Sequence, residues 1–245
     1  MKMEGIILAA GVGSRLAPLT DNLPKSLVRV NSKPILQYQI ESYLIAGVER
    51  INIVVGYKAQ KIKEFINKEF KNTKTTFNLV ENPDYSITNN MYSLYLVLKK
   101  TRPESFILSN ADVVVKENLV KIILESDVDS GIAYQPDCYN DESMKVSVDS
   151  NMVINKISKQ ITRKYARGVS IDFYKFSNEA KKALEKEIFF TIESKKDLNS
   201  WTEVAINNIL NTGLIKGIDI GNEYWYEIDD KIDLKNAEIK LMKNG

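Results

Sequence analysis

Two kinds of segment alternate along the first half of this 245-residue chain: short apolar runs and stretches with helical periodicity. The runs 5–10 and 50–55 carry mostly apolar residues on both faces, which is typical of strands buried within a sheet. The stretches 34–47 and 58–70 place apolar residues at helical spacing. Strand, helix, strand and helix in that order predict a parallel sheet with helices on its faces.

The second half of the chain changes character after Asp112. Helical periodicity persists, but strand-like pieces now follow one another through polar turns, which predicts a mixed or antiparallel extension of the sheet. We therefore expect an α/β fold with a mixed, mostly parallel sheet flanked by helices. The further strands are expected at 75–80, 105–108, 131–134, 145–148, 153–157, 169–176, 214–220 and 223–228, and the further helices at 90–100, 116–125, 177–188, 201–210 and 230–242.

Composition excludes several kinds of chemistry. The chain has no histidine and a single cysteine, so it lacks the residues for a Ser-His-Asp or Cys-His nucleophile, a histidine-containing zinc site or an intrachain disulfide. Its 34 basic and 32 acidic residues nearly balance, which does not indicate nucleic-acid binding. Because no apolar run approaches the roughly 20 residues that cross a bilayer, we expect a cytoplasmic protein without membrane or nucleic-acid partners.

A glycine-rich loop follows the first predicted strand. Gly11 and Gly13 allow the backbone to approach an anion closely, while Arg15 and Lys25 offer positive charge to phosphate oxygens. The loop is not a Rossmann fingerprint, because Leu16 stands where a third glycine belongs, and it lacks the Gly-Lys-Ser/Thr ending of a Walker A motif. The alternative is a tight turn at the end of a strand with two exposed cations.

The residues of this loop resemble those of a known family. The stretch 8–25 contains Leu-Ala-Ala-Gly, Gly-Ser-Arg-Leu, Pro-Leu-Thr and Pro-Lys in that order, which matches the signature of nucleotidyltransferases that join a nucleotide to a sugar phosphate or a small phosphorylated alcohol. The resemblance implies one Rossmann-like domain over 1–245, of the nucleotide-diphospho-sugar transferase type. About 1–130 would bind the nucleotide, and about 131–245 would contain a small β-rich extension that binds the acceptor and completes the metal site.

A second motif narrows the resemblance. The segment 89–94, Asn-Asn-Met-Tyr-Ser-Leu, looks like the helix start of bacterial cytidylyltransferases that act on phosphocholine and related aminoalkyl phosphates or phosphonates. The alternative to a nucleotide-binding role for Asn89 is that of a simple helix N-cap. The residues that the resemblance implies for nucleotide binding are Leu8, Ala9, Ala10, Gly11, Gly13, Ser14, Arg15, Lys25, Glu81, Asn82, Asn89 and Ser93.

Two carboxylate positions, far apart in sequence, are candidates for a metal site. Asp112 follows a predicted strand, and open α/β sheets place their ligands at the carboxyl ends of strands. Glu227 and Asp229 share one face of a short strand because side chains alternate. The resemblance implies that Asp112 and Asp229, with Glu227 nearby, hold a divalent ion, and Mg²⁺ fits this chemistry. For Asp229 the alternative is a helix cap, although Asp230 is the more natural one.

The reaction that the resemblance implies transfers CMP from CTP to a phosphate or phosphonate oxygen and releases pyrophosphate. A phosphate ester is already ionised near pH 7 because its second pKa is roughly 6, so a histidine base is not required. Catalysis would rest on positioning and charge. Lys25 would contact the α-phosphate, Arg15 the outer phosphates, and Asp112 the metal.

The expected acceptor pocket departs from that of choline-specific relatives. A quaternary ammonium is usually held by an aromatic cage, but Ser143 or Met144 stands at one cage position and Ser200 at another. Carboxylates suit a primary ammonium instead, so we expect 2-aminoethylphosphonate or phosphoethanolamine ahead of phosphocholine, with Lys145 near the phosphonate. The expected acceptor-binding residues are Asp141, Met144, Lys145, Asp172, Trp201 and Glu203.

Two other functions stay open on this sequence. One is a sugar-1-phosphate nucleotidylyltransferase that uses UTP or dTTP. The other is an inactive nucleotide-sensing module on the same fold, which would require loss of the phosphate or metal residues, whereas Arg15, Lys25, Asp112 and Asp229 are all present. The chain could also form part of a longer multidomain polypeptide.

Overall fold

A nine-stranded sheet runs through the centre of the computed structural model, which describes residues 3–244. The strands are, in chain order, β1 (Glu4–Ala9), β2 (Arg29–Val30), β3 (Lys33–Pro34), β4 (Arg50–Val55), β5 (Thr76–Glu81), β6 (Phe106–Asn110), β7 (Val113–Val115), β8 (Gly131–Pro136), β9 (Lys145–Val148), β10 (Ile154–Ser158), β11 (Gly168–Phe176), β12 (Lys216–Asp219) and β13 (Trp225–Glu227). The helices are α1 (Ile35–Ile45), α2 (Ala59–Glu69), α3 (Asn90–Thr101), α4 (Leu119–Glu125), α5 (Asn178–Phe189), α6 (Thr202–Ile209) and α7 (Lys231–Asn244).

The first half of the sheet is parallel, as its apolar strands predict. Strands β6, β1, β4 and β5 lie side by side in that order. Because side chains alternate, Ile6 and Leu8 of β1 pack in one apolar cluster with α3, α5 and α6. Ile7 and Ala9 pack in a second cluster with α1, α2 and α4. Both faces of the parallel strands are therefore covered.

The second half of the chain extends the same sheet with antiparallel strands. Strand β11 pairs antiparallel with β6, β8 and β9, and β10 pairs antiparallel with β9. The expected mixed sheet flanked by helices is confirmed. The division of the chain near residue 130 stays a prediction, since strands from both sides of it share one sheet. Within residues 3–244, every helix is too short or too polar to cross a membrane.

Two small pairings were not expected from the sequence, and one of them builds the site. Strand β7 pairs antiparallel with β13, so Val113 lies opposite Glu227. This pairing places the turn that carries Asp112 against the segment that carries Asp229. Strands β2 and β3 form the other pairing, a short hairpin after the glycine-rich loop. Neither β3 nor β7 exceeds three residues, which is too short for a period-two pattern to be recognised.

A buried glutamine on α1 holds the turn that carries Asp112. Gln39 has no solvent exposure. Its Nε2 donates to the carbonyl of Asn110 at 2.7 Å and to that of Val113 at 2.8 Å. Its Oε1 accepts from Ser109 Oγ at 2.9 Å. The chain on both sides of Asp112 is therefore fixed from beneath by one side chain.

We expect Gln39→Leu to lower the free energy of unfolding by about 2–3 kcal/mol, because it leaves two buried carbonyls without this donor and the Ser109 hydroxyl without its acceptor. Gln37→Leu is the matched control. Gln37 lies on the same helix but is partly exposed and bonds only to Glu41 among the described hydrogen bonds, so its replacement should change stability by less than about 0.5 kcal/mol. Urea unfolding measures both variants, and equal losses would contradict this role of Gln39.

Candidate active site

The glycine-rich loop brings two cations to one place. Gly13 has a φ of +71°, and a Cβ on it would lie 2.6 Å from the Cβ of Lys25. Only glycine fits both the backbone conformation and this close approach. Thr20 Oγ1 donates to the Gly13 carbonyl at 3.0 Å and closes the loop. Arg15 and Lys25 consequently lie on the same side of the loop and reach the same carboxylate.

Lys25 bridges two carboxylates that lie far apart in sequence. Its Nζ is 2.8 Å from Asp112 Oδ2 and 3.0 Å from Asp229 Oδ1. Arg15 Nη2 is 2.8 Å from the same Asp229 oxygen. Burial disfavours the charge of Lys25, but Asp112 and Asp229 outweigh burial and raise its pKa. Burial also opposes the charge of Asp229, yet Lys25 and Arg15 hold the pKa of Asp229 below its ordinary value. Lys25 and Asp229 are therefore both charged at neutral pH.

Backbone contacts fix the two aspartates against each other. The Ile228 amide donates to the Asp112 carbonyl at 2.9 Å, and the Ala111 amide donates to the end of β1 at 3.1 Å. Asp230 caps α7, because its Oδ1 accepts from the amides of Ile232 and Asp233. The alternative of Asp229 as the cap is wrong, and its carboxylate is left to the cations.

The same place holds a carboxylate cluster suited to a divalent cation. One carboxylate oxygen from each of Asp112, Glu227 and Asp229 lies within 4.8 Å of the others. Asp112 Oδ1 is buried and has no hydrogen-bond partner among the described residues. Burial, together with the charges of Asp172, Asp112 and Asp229, raises the pKa of Glu227 to about 9. An unpartnered buried oxygen and crowded carboxylates both fit a hard cation with oxygen ligands.

The residues expected to bind nucleotide fall into two groups. The first surrounds the loop: Leu8, Ala9 and Ala10 are buried at the end of β1, while Gly11 and Ser14 are exposed beyond it. This arrangement leaves the loop itself accessible to an anion.

The second group lies near the end of β5. Glu81 is exposed there. Asn82 is buried and donates to Thr88 Oγ1 and Ser93 Oγ, each at 3.1 Å. Asn89 caps α3 by accepting from the next amide at 2.8 Å, which agrees with the N-cap alternative. Asn82, Asn89 and Ser93 thus stabilise the segment between β5 and α3.

An open cleft of about 370 Å³ borders the carboxylate cluster. Glu227, Asp229 and Arg15 line one side of it, and residues 138–140 and 142–144 line another. Of the expected acceptor residues, Met144 and Asp172 line this cleft.

The other four expected acceptor residues lie outside the lining of this cleft, among the residues that the structure describes. Asp141 accepts from the Tyr139 hydroxyl. Lys145 is buried and donates to the carbonyls of Asn140 and Asp141 at 2.9 and 3.0 Å, so it supports the loop that forms the cleft wall. Trp201 is exposed at the start of α6, and Glu203 is buried in that helix.

Sequence reasoning missed several residues of the site. Gln39 holds the backbone on both sides of Asp112, Tyr174 donates to Asp172, and Tyr139, Trp225 and Tyr226 line the cleft. A signal existed for three of them. Trp225 and Tyr226 directly precede Glu227 in the predicted strand 223–228. Tyr174 stands two residues after Asp172 on a strand, where a shared face is expected.

The sequence is similar to a nucleotidyl transferase family model and to proteins named as cytidylyltransferases. A family model described as nucleotidyl transferase matches residues 4–133, more than half of the chain. A choline-phosphate cytidylyltransferase from Streptococcus pneumoniae is 32% identical over 241 residues, which covers 84% of this chain and 99% of that protein. A 2-aminoethylphosphonate cytidylyltransferase from Lancefieldella rimae is 37% identical over 116 residues, which covers 47% of this chain and 45% of that protein.

A solved structure agrees with these sequence matches. CTP:phosphocholine cytidylyltransferase from Streptococcus pneumoniae superposes with a TM-score of 0.79 at 25% identity. The superposition covers 98% of this chain and 100% of the other. The likeness therefore extends over both halves of the sheet and confirms the expected fold type.

We expect Glu227→Gln to stabilise the folded chain at alkaline pH. Because the pKa of Glu227 is raised to about 9 on folding, the folded state binds more protons than the unfolded state above the ordinary Glu range. Wild-type stability therefore falls as pH rises through this window. A neutral glutamine removes that dependence, so its advantage should grow by about 1.4 kcal/mol per pH unit, from a small value at about pH 5 to roughly 4 kcal/mol at about pH 8.

Thermal unfolding across pH measures this difference. Glu223→Gln, in the turn before β13, is the control and should run parallel to the wild type. A Glu227→Gln variant whose advantage is the same at both pH values would contradict the burial of an uncompensated carboxylate.

Proposed function

The chain belongs to the nucleotidyl transferase family, and on that premise we propose that it transfers CMP from CTP to a small aminoalkyl phosphonate or phosphate and releases pyrophosphate. The favoured acceptors are 2-aminoethylphosphonate and phosphoethanolamine, followed by phosphocholine. The observation that carries this proposal is the cleft beside the carboxylate cluster, whose lining includes the half-buried Asp172, a hydrogen-bond acceptor for a primary ammonium. Relatives whose names include phosphocholine and 2-aminoethylphosphonate support the class of acceptor.

Two of the three aromatic rings that line the cleft, Tyr139 and Tyr226, support a primary ammonium over a quaternary one. The Tyr139 ring already has Lys145 Nζ at 5.0 Å and Arg163 Cζ at 5.8 Å from its centroid. The Tyr226 ring has Lys240 Nζ at 5.0 Å. Since cation–π recognition needs a ring face that the ligand can occupy, these rings are poorly disposed to form a choline cage. A primary ammonium can donate hydrogen bonds to carboxylates instead.

Charge placement is the contribution that the chain's residues make to the reaction. The acceptor's phosphonate or phosphate oxygen attacks the α-phosphorus of CTP in line, and pyrophosphate leaves. Lys25 neutralises charge at the α-phosphate, while Arg15 and the amides of Gly11 and Gly13 hold the outer phosphates. No side chain has to remove a proton, because the attacking oxygen arrives ionised.

Magnesium is the proposed cofactor. Asp112 and Asp229 would hold it, with Glu227 beside them, and the grouping of their oxygens and the unpartnered Asp112 Oδ1 support this assignment. When bound, Mg²⁺ supplies charge stabilisation to the triphosphate. The chain's own residues then orient the two substrates around that charge.

A panel of substrates tests the proposed function. We expect pyrophosphate release with CTP and 2-aminoethylphosphonate or phosphoethanolamine, weaker release with phosphocholine, and little with UTP or dTTP. Turnover confined to hexose 1-phosphates with UTP or dTTP would assign the chain to the sugar-1-phosphate branch. Absence of turnover with every pair would favour a nucleotide-sensing module.

We expect Asp112→Asn to lower kcat by about 10²–10³-fold while the chain stays folded, because it removes a charge from the metal and Lys25. Asp127→Asn is the matched control. Asp127 is exposed in the turn after α4, away from the cleft, and should leave turnover unchanged. Near-normal activity of Asp112→Asn would remove Asp112 from the site.

A further inference from the structure

A buried tyrosine hydroxyl lies between two carboxylates beside the cleft. Tyr174 is 1% exposed, and its hydroxyl oxygen is 3.0 Å from Asp172 Oδ1 and 2.9 Å from Glu203 Oε1. Asp172 belongs to the cleft lining, whereas Glu203 is 5% exposed and lies behind Tyr174 on α6. The three side chains form a line from the cleft into the core.

An irregularity in β11 directs Asp172 into the cleft. The pairing of β11 with β8 shifts register between Ser170 and Tyr174. Asp172, inside this shift, has a φ of +59°, in the left-handed region that few residues other than glycine adopt. Asn110 Nδ2 donates to its other carboxylate oxygen at 3.1 Å. Asp172 is thus held in one orientation by Asn110 on one side and Tyr174 on the other.

The two hydrogen bonds between Tyr174 and its neighbouring carboxylates need one proton more than the phenol carries. A phenol carries one hydrogen and can donate to only one of the two carboxylates. If Asp172 and Glu203 were both ionised, the second contact would set a lone pair against a charged oxygen at hydrogen-bond distance. One protonated carboxyl group removes this conflict, because it donates to the Tyr174 oxygen while Tyr174 donates to the other carboxylate.

The burial and the charges around Asp172 and Glu203 favour the protonated form of one of these acids. Burial raises the pKa of both acids, that of Asp172 to about 7, and the negative charges of Glu203 and Asp112 raise the pKa of Asp172 further. Glu227 on β13 also faces Asp172. Asn110 and Tyr174 partly counter these effects on Asp172 by hydrogen bonding. Within residues 3–244, no lysine or arginine forms an ion pair with Asp172 or Glu203, so this pair lacks a cation.

We propose that Asp172 receives the ammonium group of the acceptor, and that Glu203 is a positioning residue which shares one proton with Asp172 through Tyr174 until the ammonium displaces it. The proposal rests on the proposed function, since it requires a cationic acceptor. One positive charge enters as the ammonium, and one leaves as a proton to solvent, so the charge of the network is unchanged. Tyr174 then donates to Glu203, and the ammonium offsets the charge of Asp172 beside the Tyr174 oxygen. A quaternary ammonium cannot donate a hydrogen bond to Asp172, and an uncharged acceptor does not displace the proton.

The shared proton can be tested without any acceptor. We expect the infrared difference spectrum of ligand-free wild type minus Glu203→Gln, near neutral pH, to contain the C=O band of a protonated carboxylic acid. Glutamine donates to the Tyr174 oxygen through its amide, so the variant needs no additional proton. Any band from protonated Glu227 is present in both proteins and cancels. Absence of the band from the difference spectrum would overturn the shared proton.

The displacement is tested by calorimetry at about pH 7, with Mg²⁺ and a CTP analogue that cannot be cleaved. Titration in two buffers of different ionisation enthalpy gives the number of protons released on binding. For 2-aminoethylphosphonate we expect the wild type to release more protons than Glu203→Gln, because the arriving ammonium displaces the proton that Asp172 and Glu203 share. The ionisation of the phosphonate itself cancels between the two proteins. For n-propylphosphonate, which lacks the amine, we expect no such difference.

The chain offers a matched control for this variant. Glu193 also accepts from a tyrosine hydroxyl, that of Tyr95 at 2.8 Å, but it is exposed and pairs with Lys99. Glu193→Gln should release as many protons as the wild type. We also expect Tyr174→Phe to raise KM for 2-aminoethylphosphonate about tenfold with kcat changed by less than about twofold, because it loosens Asp172 and not the metal site.

The outcomes separate this inference from the proposed function. Equal proton release by wild type and Glu203→Gln, in a protein that binds and converts 2-aminoethylphosphonate, would overturn the inference alone. If the infrared band is present but no aminoalkyl acceptor binds, the shared proton stands. The ammonium assignment and the proposed acceptor are then both overturned.

Discussion

The ion pairs of Lys25 with Asp112 and Asp229 are the interactions on which the rest of the site depends. They join the loop after β1 to the segment after β13, although Lys25 and Asp229 are 204 positions apart. Other features serve to hold this junction: the close approach of Gly13, the pairing of β7 with β13, and Gln39 beneath the turn. Ion pairs removed from water stabilise only when their geometry is fixed, which explains so much supporting structure.

An excess of negative charge is the second property of the site. Asp112, Asp172, Glu227 and Asp229 converge where Lys25 and Arg15 are the only cations paired with them among the described residues. Such an arrangement is costly in the protein alone. In the proposed reaction the substrates complete the balance, since the metal and the ammonium are cations and the triphosphate is held by Arg15 and Lys25. This unfavourable charge lies where the substrates are proposed to bind, and functional sites commonly contain such local destabilisation.

The sequence was sufficient for much of this architecture. Unbroken apolar runs predicted the parallel strands, and the resemblance to nucleotidyltransferases implied a shared role for Asp112 and Asp229, whose carboxylates the structure brings together. Other features depend on tertiary geometry. The left-handed backbone of Asp172 cannot be recognised in a pattern of residue types, and Lys145 bonds to loop carbonyls because of a chain path that its spacing does not reveal. Gln39 gave only a weak signal, one amide within an apolar helix face.

In the proposed site, one set of carboxylates serves both Lys25 and a divalent cation. Calorimetric titration of Mg²⁺ into nucleotide-free wild type and Lys25→Met tests it directly, with circular dichroism to show that the variant is folded. We expect the variant to bind Mg²⁺ several-fold to about tenfold more tightly, because it lacks a competing positive charge within about 4 Å of the Asp112 and Asp229 carboxylates. Weaker binding or no binding by the folded variant would show that Asp112 and Asp229 do not form the metal site.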